Sequence, residues 1–168
     1  MSGTFETTLG NMEQLKTIAE FLAIKNSCFI LGKNICEPIA REAALKLKEI
    51  GYIHAEAFPG GSLKHGPFSL IEIETPVILL ILEDSYKDFM ISTLEEVKSR
   101  GAKTIIITNT DINCEKSLID FKVVIPKLKT LGSVPLILPF QIIAYEMAIV
   151  KQHSPDYPRN LAKVVTVD

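Results

Sequence analysis

Apolar positions along this chain follow two rhythms. Four runs are short and close to continuous: "CFIL" at 28–31, "PVILLIL" at 76–82, "TIIIT" at 104–108 and "FKVVI" at 121–125. Continuous rather than alternating runs fit strands that are covered on both faces. A fifth, weaker candidate strand is "IHAEAF" at 53–58. Between these runs the apolar residues recur with helical period. In "NMEQLKTIAEFLAIK" the pattern puts Met12, Leu15, Ile18, Ala19 and Leu22 on one face, and "YKDFMISTLEEVKSRG" runs to a glycine at its carboxyl boundary. "EPIAREAALKLKEIGY" carries Pro38 in its first turn, where a missing amide hydrogen is harmless. The last periodic segment, "LILPFQIIAYEMAIVKQ", is apolar nearly all round, as a helix buried against a second domain or subunit would be.

Strand and helix therefore alternate. This predicts an α/β domain, a three-layer sandwich with a mostly parallel five-stranded sheet of flavodoxin-like type between helices. The expected organisation is a helical lead-in over 1–25, the α/β domain over 26–152 and a carboxyl-terminal tail over 153–168. The helix after the first strand should open at that strand's carboxyl end, where doubly wound sheets bind ligands.

At 168 residues the chain is large enough for one domain with a sizeable core. With 23% charged residues and a formal net charge of -2, it has no electrostatic footprint for nucleic acid. Glu83 and Asp84 interrupt the longest apolar run well short of the roughly 18–20 residues a membrane span needs. "MSGTFETTLG" lacks a basic region followed by an apolar stretch, so a cytoplasmic location is expected. Cys28, Cys36 and Cys114 stand at no metal-ligand spacing, which argues against disulfides and structural zinc; Cys28 reads as a buried free thiol.

Three places could carry chemistry. Glu42, Lys46 and Glu49, spaced by four and three residues, share one helical stripe. They read either as a solvated ladder of ion pairs or as a support for Glu49 acting as a general base beside a ligand crevice. "EAFPGGSLKHGPFSL" is a shaped turn that presents His65; His54 reads as a strand residue and His153 as a helix-end residue. Finally, the tail "PDYPRNLAKVVTVD" is too apolar for a frayed terminus, and it sets Lys163 among Leu161, Ala162, Val164 and Val165. A lysine there either snorkels to solvent or, desolvated, attacks a carbonyl to form a Schiff base.

Taken together, "EAALKLKEIGYIHAEAF", "GGSLKHGP" and "PRNLAK" followed by "VVTVD" resemble the second sugar isomerase (SIS) domain of the glutamine–fructose-6-phosphate amidotransferases, from about Phe29 onward. The resemblance implies an enzyme that turns fructose 6-phosphate and glutamine-derived ammonia into glucosamine 6-phosphate, with no cofactor and no metal. It implies that Glu49 moves a proton between the first two sugar carbons and that His65, reaching the site from a neighbouring subunit, assists ring opening. Lys163 is implied as the Schiff-base lysine. Arg159, Asn160 and the Ala162 backbone would close over the sugar, with Glu42 and Lys46 in support. Implied partners are the sugar phosphate, a glutaminase domain, a first SIS domain and a second copy in a homodimer, with neither nucleic acid nor membrane.

Two departures qualify that resemblance. Ser62 stands where the family usually has an acid, and no Ser-x-Ser-Gly-x-Thr phosphate cradle is present. The chain thus reads as one half of a sugar site. The alternative is a stand-alone phosphosugar-binding or regulatory module; a dimerisation unit built on the apolar last helix is compatible with either.

Overall fold

The structure is a computed structural model that describes residues 10–127 and 133–161. Five strands alternate with four helices: α1 (Met12–Ala23), β1 (Ser27–Gly32), α2 (Cys36–Glu49), β2 (His54–Pro59), β3 (Pro76–Ile81), α3 (Lys87–Lys98), β4 (Lys103–Thr108), β5 (Phe121–Val124) and α4 (Ile137–Val150). The sheet order is β2-β1-β3-β4-β5, and every pairing is parallel. The weakly patterned run at 53–58 forms a full strand, paired with β1 along its whole length from Ser27↔His54 to Gly32↔Pro59. Its pattern is faint because β2 is an edge strand and only Ala55 is buried within it.

Alternate side chains of the continuous runs serve two cores, as the strand pleat requires. Cys28, Ile30, Ile78, Leu80, Ile105 and Ile107 point to one face, where α1, α2 and α4 pack. Phe29, Leu31, Val77, Leu79, Ile81 and Ile106 point to the other, covered by Met90, Leu94 and Val97 of α3 and by Leu63. Leu15, Ile18, Ala19 and Leu22 of α1 are fully buried in the first of these cores.

Within this chain the last helix is buried on one side. Pro139, Phe140, Ile143, Ala144, Met147 and Ala148 are buried, whereas Tyr145, Ile149 and Val150 are 45–49% exposed. One sheet face cannot cover both sides of a helix, so the outward side of α4 meets no other part of the described chain.

Two glycines set the ends of elements. A Cβ on Gly32 would lie 2.4 Å from the Cys36 carbonyl oxygen, so only glycine allows the tight passage from β1 into α2. Gly101, at φ 88, ends the turn after α3 in the left-handed region that glycine tolerates best.

Candidate active site

The helix α2 begins at the carboxyl end of β1, as expected. Its 14 residues then carry the chain roughly 21 Å back across the sheet, so Glu49, the last of them, lies at the amino-terminal edge. Helix length, not spacing within the stripe, decides at which edge of the sheet Glu49 stands.

The stripe itself is formed. Lys46 Nζ donates to Glu49 Oε2 at 2.8 Å and approaches Glu42 Oε1 at 3.4 Å. The hydrogen bond to Glu49 raises the Lys46 pKa above its ordinary value; burial opposes it, and the charges of both carboxylates reinforce it. Glu49 keeps 32% of its side chain exposed, so one carboxylate is both held by a cation and open to solvent.

Next to Glu49 is a depression of about 390 Å³ lined by Leu45, Lys48, Glu49, Tyr52, Arg159, Asn160 and Leu161. The helix α2 and the start of the tail thus meet, although they are more than 100 positions apart. Arg159 and Asn160 are exposed at its rim. Lys163 and Ala162 lie outside the described residues, two positions and one position beyond Leu161.

Tyr52 holds this meeting point together. Its phenol oxygen accepts from the Arg159 backbone N–H at 3.0 Å, and the Arg159 guanidinium carbon lies 4.5 Å from the ring centroid. The His153 ring meets the tyrosine ring edge-on, with 4.7 Å between centroids. Below, Lys151 Nζ donates to the carbonyls of Gly51 at 2.7 Å and Tyr52 at 3.3 Å, tying the end of α4 to the turn before β2. Burial lowers the pKa of this ammonium, and the neighbouring Arg159 charge acts in the same direction.

His65 is elsewhere. It ends a 3-10 turn, Ser62–His65, that follows the carboxyl end of β2. Glu49 precedes the amino end of the same strand, so the six-residue β2 alone separates them by on the order of 17 Å. The turn is firmly based: Leu63 is fully buried, Gly61 at φ 85 packs where a Cβ would lie 2.6 Å from Phe89 Cζ, and Lys64 pairs with Glu96 of α3 at 2.8 Å. Burying a leucine contributes about 1.5–3 kcal/mol. His65 itself points outward and exposed, and makes no hydrogen bond or ion pair among the described residues. The structure therefore brings together Glu42, Lys46, Glu49, Arg159 and Asn160, and sets His65 apart.

Sequence reasoning left Tyr52, Leu45, Lys48 and Lys151 without a role and read His153 only as a helix-end residue. The one available signal was "GY" at the end of a helix, where the glycine would be expected to take the left-handed position. Instead Tyr52 takes it, at φ 50. Gly51 answers a different need, since its Cβ would lie 2.6 Å from the Leu47 carbonyl oxygen and 3.3 Å from the Met147 side chain.

Among the described residues no group of three or more His, Cys, Asp or Glu could hold a metal ion, and no helix is long and apolar enough to cross a membrane.

Residues 21–151 match the family model described as "SIS domain". A probable isomerizing glutamine–fructose-6-phosphate aminotransferase of Acanthamoeba polyphaga mimivirus is 44% identical over 160 residues, covering 94% of this chain and 26% of that protein. The isomerizing glutamine–fructose-6-phosphate aminotransferase of Streptomyces coelicolor is 40% identical over 174 residues, covering all of this chain and 28% of the relative. The chain thus spans about a quarter of the length of the curated relatives it matches. Among solved structures, the C-terminal domain of glucosamine-fructose-6-phosphate aminotransferase from Francisella tularensis superposes with a TM-score of 0.79 at 33% identity, over 90% of this chain and 43% of that one. The sugar isomerase domain of an RpiR transcription factor from Sphaerobacter thermophilus, at TM-score 0.75 and 16% identity over 90% of this chain and 86% of that one, shares the fold. On the family match, the parallel five-stranded sheet and these relatives, the chain belongs to the SIS domain family.

Proposed function

We propose that this chain is the isomerase subdomain of a glucosamine-6-phosphate synthase, acting on fructose 6-phosphate and ammonia released from glutamine by a separate glutaminase domain. The observation that carries this reading is the depression in which Glu49 of α2 meets Arg159, Asn160 and Leu161 of the tail. It joins two of the three motifs on which the resemblance rests, and a carboxylate supported by Lys46 is the group that proton transfer between adjacent carbons requires.

In this reading Lys163 condenses with the C2 carbonyl of the open-chain ketose, releasing water, and the imine withdraws electrons from C1. Ammonia displaces the lysine amine, Glu49 takes a proton from C1 and returns it at C2, the C1 hydroxyl gives up its proton as the C2 nitrogen gains one, and C1 becomes the aldehyde carbon of the product. His65 moves the proton between the ring oxygen and the C2 hydroxyl when the sugar opens. It does so in the site of a neighbouring subunit, because its own chain holds it far from Glu49. Arg159, Asn160 and the Ala162 backbone close over the sugar. A first SIS domain supplies the phosphate cradle, and the whole works as a cytoplasmic homodimer.

The test is a chimera in which this chain replaces the corresponding C-terminal domain of the Streptomyces coelicolor relative. Glucosamine 6-phosphate should form from fructose 6-phosphate and glutamine, and borohydride should trap the sugar on Lys163. Lys163→Ala should abolish both. A folded chimera that makes no glucosamine 6-phosphate, or that is unaffected by Lys163→Ala, overturns the assignment.

A further inference from the structure

The tail leaves the end of α4 and meets α2 at one side chain. Arg159 contributes two contacts, its backbone N–H to the Tyr52 phenol oxygen and its guanidinium to the Tyr52 ring, while His153, just beyond α4, braces the same ring. Arg159 is otherwise exposed, and Asn160 and Leu161 are exposed beside it. Tyr52 also stands in the left-handed region, at φ 50, where a bulky residue is an outlier and glycine or asparagine would be unstrained. Its carbonyl is fixed by Lys151, so the conformation does not depend on the phenol ring. A tyrosine kept where the backbone favours glycine points to a use for its ring.

We propose that Tyr52 is the docking post of the carboxyl-terminal tail, a positioning residue that sets the tail against the Glu49 end of α2. This deepens the proposed function and rests on its reading of the tail as a lid over the site. The geometry gives Tyr52 two separable parts. The phenol oxygen fixes the height of the backbone at Arg159, and the ring face holds the guanidinium through a cation–π contact.

Two substitutions separate docking from folding. Tyr52→Gly removes the ring and relieves the positive φ; the strain relief offsets the lost ring contacts and the added unfolded-chain entropy, so thermal unfolding should stay close to the wild-type midpoint. Tyr52→Phe keeps the ring and loses only the acceptor. Under limited trypsin digestion of the 168-residue chain, followed by mass, cleavage after Arg159 should be about tenfold faster in Tyr52→Gly than in wild type, with Tyr52→Phe between them, because proteolysis reads the population of the released tail. In the chimera, borohydride labelling of Lys163 should fall in the same order. Equal cleavage of wild type and a natively folded Tyr52→Gly overturns the docking role. Absence of labelling in the wild-type chimera would instead count against the proposed function, leaving the docking role to be decided by cleavage alone.

Discussion

Lys46 and Glu49 face each other across one turn of α2, ammonium to carboxylate at 2.8 Å, and Glu42 shares the same cation at 3.4 Å. A solvated ladder of ion pairs and a supported general base look alike in sequence. They differ in that Glu49 also lines the depression that the tail reaches.

Replacing the two members should separate these roles. In the chimera, Glu49→Gln should slow exchange of solvent deuterium into fructose 6-phosphate by about 10²–10⁴-fold, the usual contribution of a positioned base. Lys46→Met leaves the carboxylate in place without its tether and should cost about 10- to 100-fold, as a misplaced catalytic group does. If Glu49→Gln exchanges deuterium at the wild-type rate, Glu49 is only part of the ladder.

The opposite placement of His65 and Glu49 predicts complementation between subunits. Glu49→Gln and His65→Ala chains should each be inactive in the chimera, yet mixing them should restore about a quarter of wild-type activity, since half of a random mixture is heterodimer with one intact site of two. Measured synthesis of glucosamine 6-phosphate after co-refolding decides this. No recovery from a demonstrated heterodimer would mean that both residues act within one chain.

Asp120 closes the far side of the sheet. Its Oδ2 accepts from Lys98 Nζ at 2.5 Å and from the Thr104 backbone N–H at 2.8 Å, and its Oδ1 pairs with Lys103 at 3.2 Å. Burial would raise its pKa, but these hydrogen bonds outweigh it and hold the carboxyl below its ordinary value of 3.8. A depressed acid stabilises the fold fully above the unfolded-state pKa and loses that contribution as pH falls through that value toward the folded one. Asp120→Asn should therefore cost about 1.5–3 kcal/mol at pH 7, and the difference from wild type should shrink below about pH 4. Urea unfolding at pH 7 and pH 3 checks it; a pH-independent difference would assign the effect to packing alone.

Burial pushes the Cys28 and Cys36 thiols up to about 12, with Asp84 adding to the effect at Cys36, while Cys114 is partly exposed with a smaller upward shift, chiefly from burial. A native-state titration with a thiol reagent at pH 8 should show Cys114 reacting first and the other two only on unfolding. Rapid reaction of Cys36 would mean that the start of α2 opens readily.

The sequence alone determined a good deal of this molecule. Continuous apolar runs at 76–82 and 104–108 fit strands covered on both faces, and the helical period of 11–25 and 86–101 fits helices packed against them, because each pattern reflects how one element is buried. The Glu42, Lys46 and Glu49 stripe was legible from its spacing alone, whereas the apolar stretch after Leu161 lies outside the described residues. The edge strand at 53–58 was faint, since half its surface faces no neighbour. What no local pattern could carry was direction and distant pairing. The crossover from β1 through α2 to β2 puts Glu49 at one edge of the sheet and His65 near the other, and the return of the chain after α4 brings Arg159 onto Tyr52, 107 positions earlier. Periodicity says that a face is buried, not by what; those meetings follow from helix length and the handedness of the crossovers, which exist only once the sheet is assembled.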